Sequence, residues 1–97
     1  MTQSIERAGE ESYASMIGLV SEIARALVDY PESVSVEAFQ EDEATVIRLR
    51  VAPSDIGKVI GKQGRTARSM RTILSAASMK LKHRFSLDIV EDQSPQG

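Results

Sequence analysis

Gly61 and Gly64 stand three residues apart with Lys62 and Gln63 between them, the apolar pair Val59-Ile60 before them and Arg65 directly after. Helical spacing stops at the first glycine and resumes after the second. Ile56, Val59 and Ile60 are spaced for a short helix running into Gly61, with Ser54 and Asp55 as helix-start residues. Ala67, Met70, Leu74, Ala77 and Leu81 gather on one side of a longer helix, roughly residues 65–82. Glycine lets the main chain take angles that a Cβ forbids, and lets a ligand approach it closely. A glycine loop that opens a helix presents backbone N–H groups and the positive helix end to an anion. Lys62 adds a point charge suited to phosphate. A plain turn between two helices needs one glycine, not two flanked by Lys62 and Arg65.

Charge is distributed in keeping with this. The formal net charge is -2, yet residues 58–84 carry eight Lys or Arg and no Asp or Glu. The rest of the chain carries four basic and fourteen acidic side chains. The distribution predicts a basic surface for a polyanion, where the overall charge alone would not. At ~100° per residue, Arg65, Arg68 and Thr72 lie opposite the apolar side of the long helix. Arg65 and Arg68 follow the loop on its outer side and are placed for phosphate contact, and Lys58 sits beside the loop. Arg71 falls on the flank between the two sides, where a structural role is equally open. Lys80, Lys82 and Arg84 are a turn or more away. Ile73 is displaced by ~70° from the centre of the buried stripe, either closing the edge of the core or forming a self-association contact.

The remaining segments surround this unit. Residues 1–11 are polar and aperiodic and read as a flexible tail. From Ser12, a capping type, apolar residues at Tyr13, Met16, Ile17, Val20, Ile23, Ala24, Leu27 and Val28 describe an amphipathic helix that Tyr30-Pro31 ends. Val34, Val36 and Ala38 alternate with polar residues as a first strand, whose far end Phe39 obscures. After a charged turn at Gln40-Glu41-Asp42-Glu43, residues 45–51 form the clearest strand, with Ile47, Leu49 and Val51 inward and Arg48 and Arg50 outward. The link is short enough that the two strands form an antiparallel hairpin. Phe85, Leu87 and Ile89 mark the inner face of a third strand over residues 84–90, and 92–97 is a polar tail. One domain, residues 12–91, is therefore expected. Its fold class is α+β in two layers, ordered α-β-β-α-α-β, with a three-stranded sheet and helices on one face. The order of the strands in the sheet stays open.

Several functions are set aside. The absence of cysteine excludes disulfides and thiolate metal sites and suits a reducing compartment. His83 is the single histidine, so no metal site and no cofactor are expected. No Ser, His and Asp residues suggest a nucleophile with its base, and the chain reads as no enzyme. Gly57 to Lys62 is one residue short of a P-loop, and Gln63 stands where a Ser or Thr would bind magnesium. No run is apolar enough to span a membrane, and no signal peptide is evident; a cytoplasmic location is expected.

The stretch from Val51 through Arg65, with Arg71-Thr72-Ile73 beyond it, resembles the small bacterial single-KH (type II) family, the KhpA-like proteins. Ala67 departs from the larger aliphatic residue common there. The resemblance implies a two-layer type II KH fold and a groove holding about four single-stranded nucleotides. Gly61, Lys62, Gln63 and Gly64 match the backbone clamp, while Ile56, Val59 and Ile60 match groove wall or core. The expected RNA-binding set is Lys58, Val59, Ile60, Gly61, Lys62, Gln63, Gly64, Arg65 and Arg68. The resemblance further implies a homodimer, or a heterodimer with a larger KH-containing bacterial protein. It also implies a role as post-transcriptional regulator or RNA chaperone, in a family linked to cell division and cell shape. The competing expectation is a protein–protein adaptor in which RNA binding is vestigial.

Overall fold

The computed structural model describes the backbone of residues 2–91 and the side chains of residues 13–91. The elements follow in the expected order: α1 (Thr2–Leu27), β1 (Ser35–Glu41), β2 (Ala44–Arg50), α2 (Ile56–Ile60), α3 (Arg65–Leu81) and β3 (Arg84–Ile89). Short 3-10 turns at Pro31–Ser33, Pro53–Asp55 and Lys62–Gly64 join them. This is the α+β, type II KH arrangement. The tail expected at 92–97 lies outside the described residues.

Alternation along the strands and the stripes on the helices meet in one core. Val20 and Ala24 of α1, and Ala67, Met70 and Leu74 of α3, are buried against Ile47, Leu49, Phe85, Leu87 and Ile89 of the sheet. Val59 is the buried residue of α2. The inner face of β2 also buries Thr45, whose hydroxyl lies within hydrogen-bonding distance of both Gln40 Oε1 (2.9 Å) and His83 Nε2 (2.7 Å). The His83 ring stands against Tyr13 and Phe85, which ties the start of β3 to α1.

The sheet order is β1-β2-β3, with β1 antiparallel and β3 parallel to β2. The crossover through α2 and α3 brings β3 back beside the strand it left, so β2 is central. A central strand covered on its inner face should be the most regularly apolar, and β2 is: its buried and less buried residues alternate from Ala44 to Leu49. β1 lies at the edge, and Ala38, expected to face inward, is exposed there because the helices cover it incompletely.

Several boundaries differ from those read in the sequence. Helix α1 begins at Thr2, ten residues before Ser12, so residues 2–11 extend the helix where a tail was expected. Most of these residues are adequate helix formers, and adding a residue to an existing helix is far easier than nucleating one. Phe39 does not end β1. It pairs with Val46 on the outer face of the sheet, and its ring meets the Arg48 guanidinium at 4.7 Å. The ladder runs on to Glu41 opposite Ala44, which shortens the turn to Asp42 and Glu43. Asp42 takes φ 53°, a left-handed conformation that aspartate tolerates better than most residues.

Among the described residues, no helix is long and apolar enough to cross a membrane.

Candidate nucleic-acid interface

Helix α2 ends at Gly61, whose N–H bonds to the Gly57 carbonyl at 2.8 Å. Gly61 has φ 82° and ψ 166°, a combination essentially confined to glycine. A Cβ there would also stand 2.7 Å from the main-chain nitrogen of Thr66. Gln63 (φ 57°, ψ 27°) and Gly64 (φ 75°, ψ 13°) then take two successive left-handed conformations, after which Arg65 starts α3. Space around Gly64 is open, so its requirement is conformational alone. The Gly64 N–H bonds to the Gly61 carbonyl and the Arg65 N–H to that of Lys62. These bonds use neither the N–H of Lys62 nor that of Gln63.

Lys62, Arg65 and Arg68 are exposed around this loop and form no salt bridge among the described residues. Beside them, a cleft of 400 Å³ opens between the end of α2, the start of α3 and the end of β3. Ile60, Ala67 and Ile89 form its apolar walls with Gly64 at the loop end, and Arg68, Arg71 and Glu91 are its charged groups among the described residues. An apolar cleft beside a cationic loop can take a flat heterocycle on one side and its phosphates on the other.

The predicted residues divide in this setting. Gly61, Lys62, Gln63, Gly64, Arg65 and Arg68 come together at one end of the molecule. Ile60 lines the cleft, whereas Val59 is fully buried and serves the core. The Lys58 ammonium is turned toward two carboxylates, Asp29 at 3.3 Å and Asp55 at 3.5 Å. Hydrogen bonding to Asp29, followed by the charge of that carboxylate, raises its pKa above the ordinary lysine value. Arg71 is structural: its Nε and Nη2 donate to the Leu87 carbonyl at 3.3 and 3.2 Å, closing part of the open edge of β3. Lys82 and Arg84 lie at the other end of α3, about 25 Å from the loop by helix rise. There they share a wide hollow with Glu41, Asp42 and Glu43 of the hairpin turn. The acid-free span is therefore not one basic surface; its cations split between the two ends of α3, with two held in the structure. Ile73 is 45% exposed on α3, so it does not close the core.

Asp55 is the residue whose importance sequence reasoning missed. It occupies the start of α2, as its type suggests, but its carboxylate does not cap that helix. Instead it is fully buried and accepts hydrogen bonds from the main-chain N–H groups of Asp29 (3.1 Å) and Tyr30 (3.0 Å) in the α1–β1 connection. Burial disfavours its charge, but the two N–H groups and Lys58 outweigh that, and the carboxyl titrates below the ordinary 3.8. Because the folded-state pKa is depressed, this contribution to stability is complete above pH 3.8 and is lost as the pH falls through the lower folded-state value. Asp55→Asn should lower the melting temperature at pH 7 by roughly 10 °C, since an amide leaves one N–H group without an acceptor. It should also flatten the acid limb of stability against pH. An unchanged melting temperature would show that the carboxylate does not hold α2, and the loop after it, to the end of α1.

The chain is similar to known proteins over most of its length. The RNA-binding protein KhpA of Caldanaerobacter subterraneus subsp. tengcongensis is 49% identical over 72 residues, spanning 74% of this chain and 96% of that protein. The KhpA of Halalkalibacterium halodurans is 49% identical over 73 residues, with 75% and 96% covered. That of Borreliella burgdorferi is 37% identical over 81 residues, with 84% and 99% covered. Among solved structures, Era from Aquifex aeolicus superposes with a TM-score of 0.52 at 20% identity, over 84% of this chain and 33% of that one, a likeness of fold. The family model described as KhpA/KhpB, KH domain, matches residues 18–89. On a match of that extent, over the helices, the glycine loop and all three strands, the chain belongs to the KhpA/KhpB KH-domain family.

Proposed function

We propose that this chain is a non-catalytic RNA-binding protein that clamps a short single strand at the Gly61–Gly64 loop. The main-chain N–H groups of Lys62 and Gln63, with the side chains of Lys62, Arg65 and Arg68, hold phosphates. The cleft lined by Ile60, Ala67 and Ile89 takes the bases. The observation that carries this reading is the placement of three exposed cations, without salt-bridge partners among the described residues, around a glycine loop of positive φ that opens onto an apolar cleft. The relatives named RNA-binding protein KhpA support it. Lys58 is assigned to holding α2 rather than to phosphate.

With three cations engaged, log affinity for a single strand should fall against log salt with a slope of about -2. A flat response would contradict phosphate clamping.

The functional unit is residues 12–91, acting in the cytoplasm as a post-transcriptional regulator or RNA chaperone. One short cleft gives modest affinity, which a second clamp in a dimer raises through avidity. Ile73 and Met79, the latter 81% exposed, place apolar surface on α3 for self-association or for a larger KH protein. The same surface favours an adaptor as the second reading. Ile73→Asp should halve the mass in solution and leave the melting temperature within a few degrees. A dimer that persists would remove Ile73 from the contact.

A further inference from the structure

Among the described residues, the cleft contains one acidic side chain, Glu91, and its position has a chemical consequence. Glu91 lies two residues beyond the end of β3 and lines the cleft together with Arg68 and Arg71 of α3. It is exposed and forms no salt bridge among the described residues, although Arg68 and Arg71 line the same cleft. The Arg71 guanidinium is drawn instead to the Leu87 carbonyl. Among the described residues the Glu91 carboxylate therefore has no ion-pair partner, and it stands as an acceptor at the cleft. An ionised carboxylate accepts hydrogen bonds and donates none.

We propose that Glu91 makes the cleft discriminate among bases, favouring adenine and cytosine over uracil. The proposal rests on the reading that the loop holds phosphates while the cleft takes bases. Adenine and cytosine carry an exocyclic amino group that donates to a carboxylate. Uracil carries a carbonyl oxygen at the position of the cytosine amine, and its one edge donor, N3–H, stands between two such oxygens, which repel a carboxylate that approaches it. The same negative charge repels phosphates from the β3 side, which sets the strand with its backbone toward Lys62, Arg65 and Arg68 and its bases toward Glu91.

The test uses the whole chain and fluorescently labelled eight-nucleotide oligomers of A, C and U. Wild type should bind the A and C oligomers about tenfold more tightly than the U oligomer. Glu91→Gln offers both a donor and an acceptor and should bring the three within about twofold, chiefly by improving U. Equal affinities in wild type, or one common factor of change for all three oligomers in Glu91→Gln, would overturn the proposal, because charge repulsion alone acts on every strand alike. Lys62→Asp/Gln63→Asp separates the two readings. If it loses all three oligomers while wild type shows no preference, only the role of Glu91 fails. If it binds all three like wild type, the loop reading fails and this one with it.

Discussion

Gly61→Ala is expected to destabilise the chain by about 3–4 kcal/mol, the combined effect of a forbidden backbone conformation and a steric clash. At φ 82° and ψ 166°, any Cβ would be strained, and here it would also press on the Thr66 nitrogen in the first turn of α3. Neither strain has an easy release. Moving Thr66 shifts α3, whose Ala67 and Met70 are in the core, and rotating Gly61 breaks the bond between the Gly64 N–H and the Gly61 carbonyl. A domain of this size has a stability near the lower end of about 5–15 kcal/mol, so roughly half of it would be lost. Gly64→Ala should cost only about 1–2 kcal/mol, because that position is left-handed but open. Chemical denaturation of the two variants measures the difference. Equal losses would mean that the glycines serve the same purpose, contrary to their geometry.

The largest effect on binding is expected from Lys62→Asp combined with Gln63→Asp. Both residues are exposed, and Gln63 already holds a left-handed conformation (φ 57°) that aspartate tolerates well. The fold should therefore be retained, with stability within about 1 kcal/mol of wild type. The change removes one cation and places two carboxylates where phosphates are held. RNA affinity should fall by ~100-fold at moderate salt, and the slope against salt should flatten. Self-association through α3 should not change. A folded double variant that binds RNA like wild type would sink the clamp and leave the adaptor reading. For the same loop, Gly61→Ala reports on the scaffold and the double variant on the ligand, so the two results are independent.

How the candidate site appears in the sequence differs from residue to residue. Gly61, Gly64, Lys62, Arg65 and Arg68 are consecutive or one helical turn apart, so their proximity follows from local geometry. Lys58 and Arg71 have the same residue types and a similar spacing, yet neither faces the loop. Lys58 has a local partner in Asp55, three positions before it, but Asp29 and the Leu87 carbonyl lie 29 and 16 positions away in sequence, and no local pattern announces those contacts. Asp55 is the sharper instance. Its place before α2 suggested a cap, and only the packing of the α1–β1 connection over α2 explains why a carboxylate is buried there. Glu91 reads only as the last residue of the domain until the parallel pairing of β3 with β2 carries it to the cleft.

What the sequence by itself determined is what periodicity and residue type encode over a few positions. That covers the six main elements, the faces they bury, the hairpin and the glycine loop with its cations. Hydrophobic spacing of 2 or 3.6 residues selects strand or helix before any distant contact exists, and glycine at Gly61 is needed by its own backbone angles. Only the tertiary structure decided the strand order, the division of the basic residues between clamp and scaffold, the buried role of Asp55 and the cleft that includes Glu91. Each of these depends on the desolvation and pairing of groups far apart in the chain, and such energies arise only once the layers have packed.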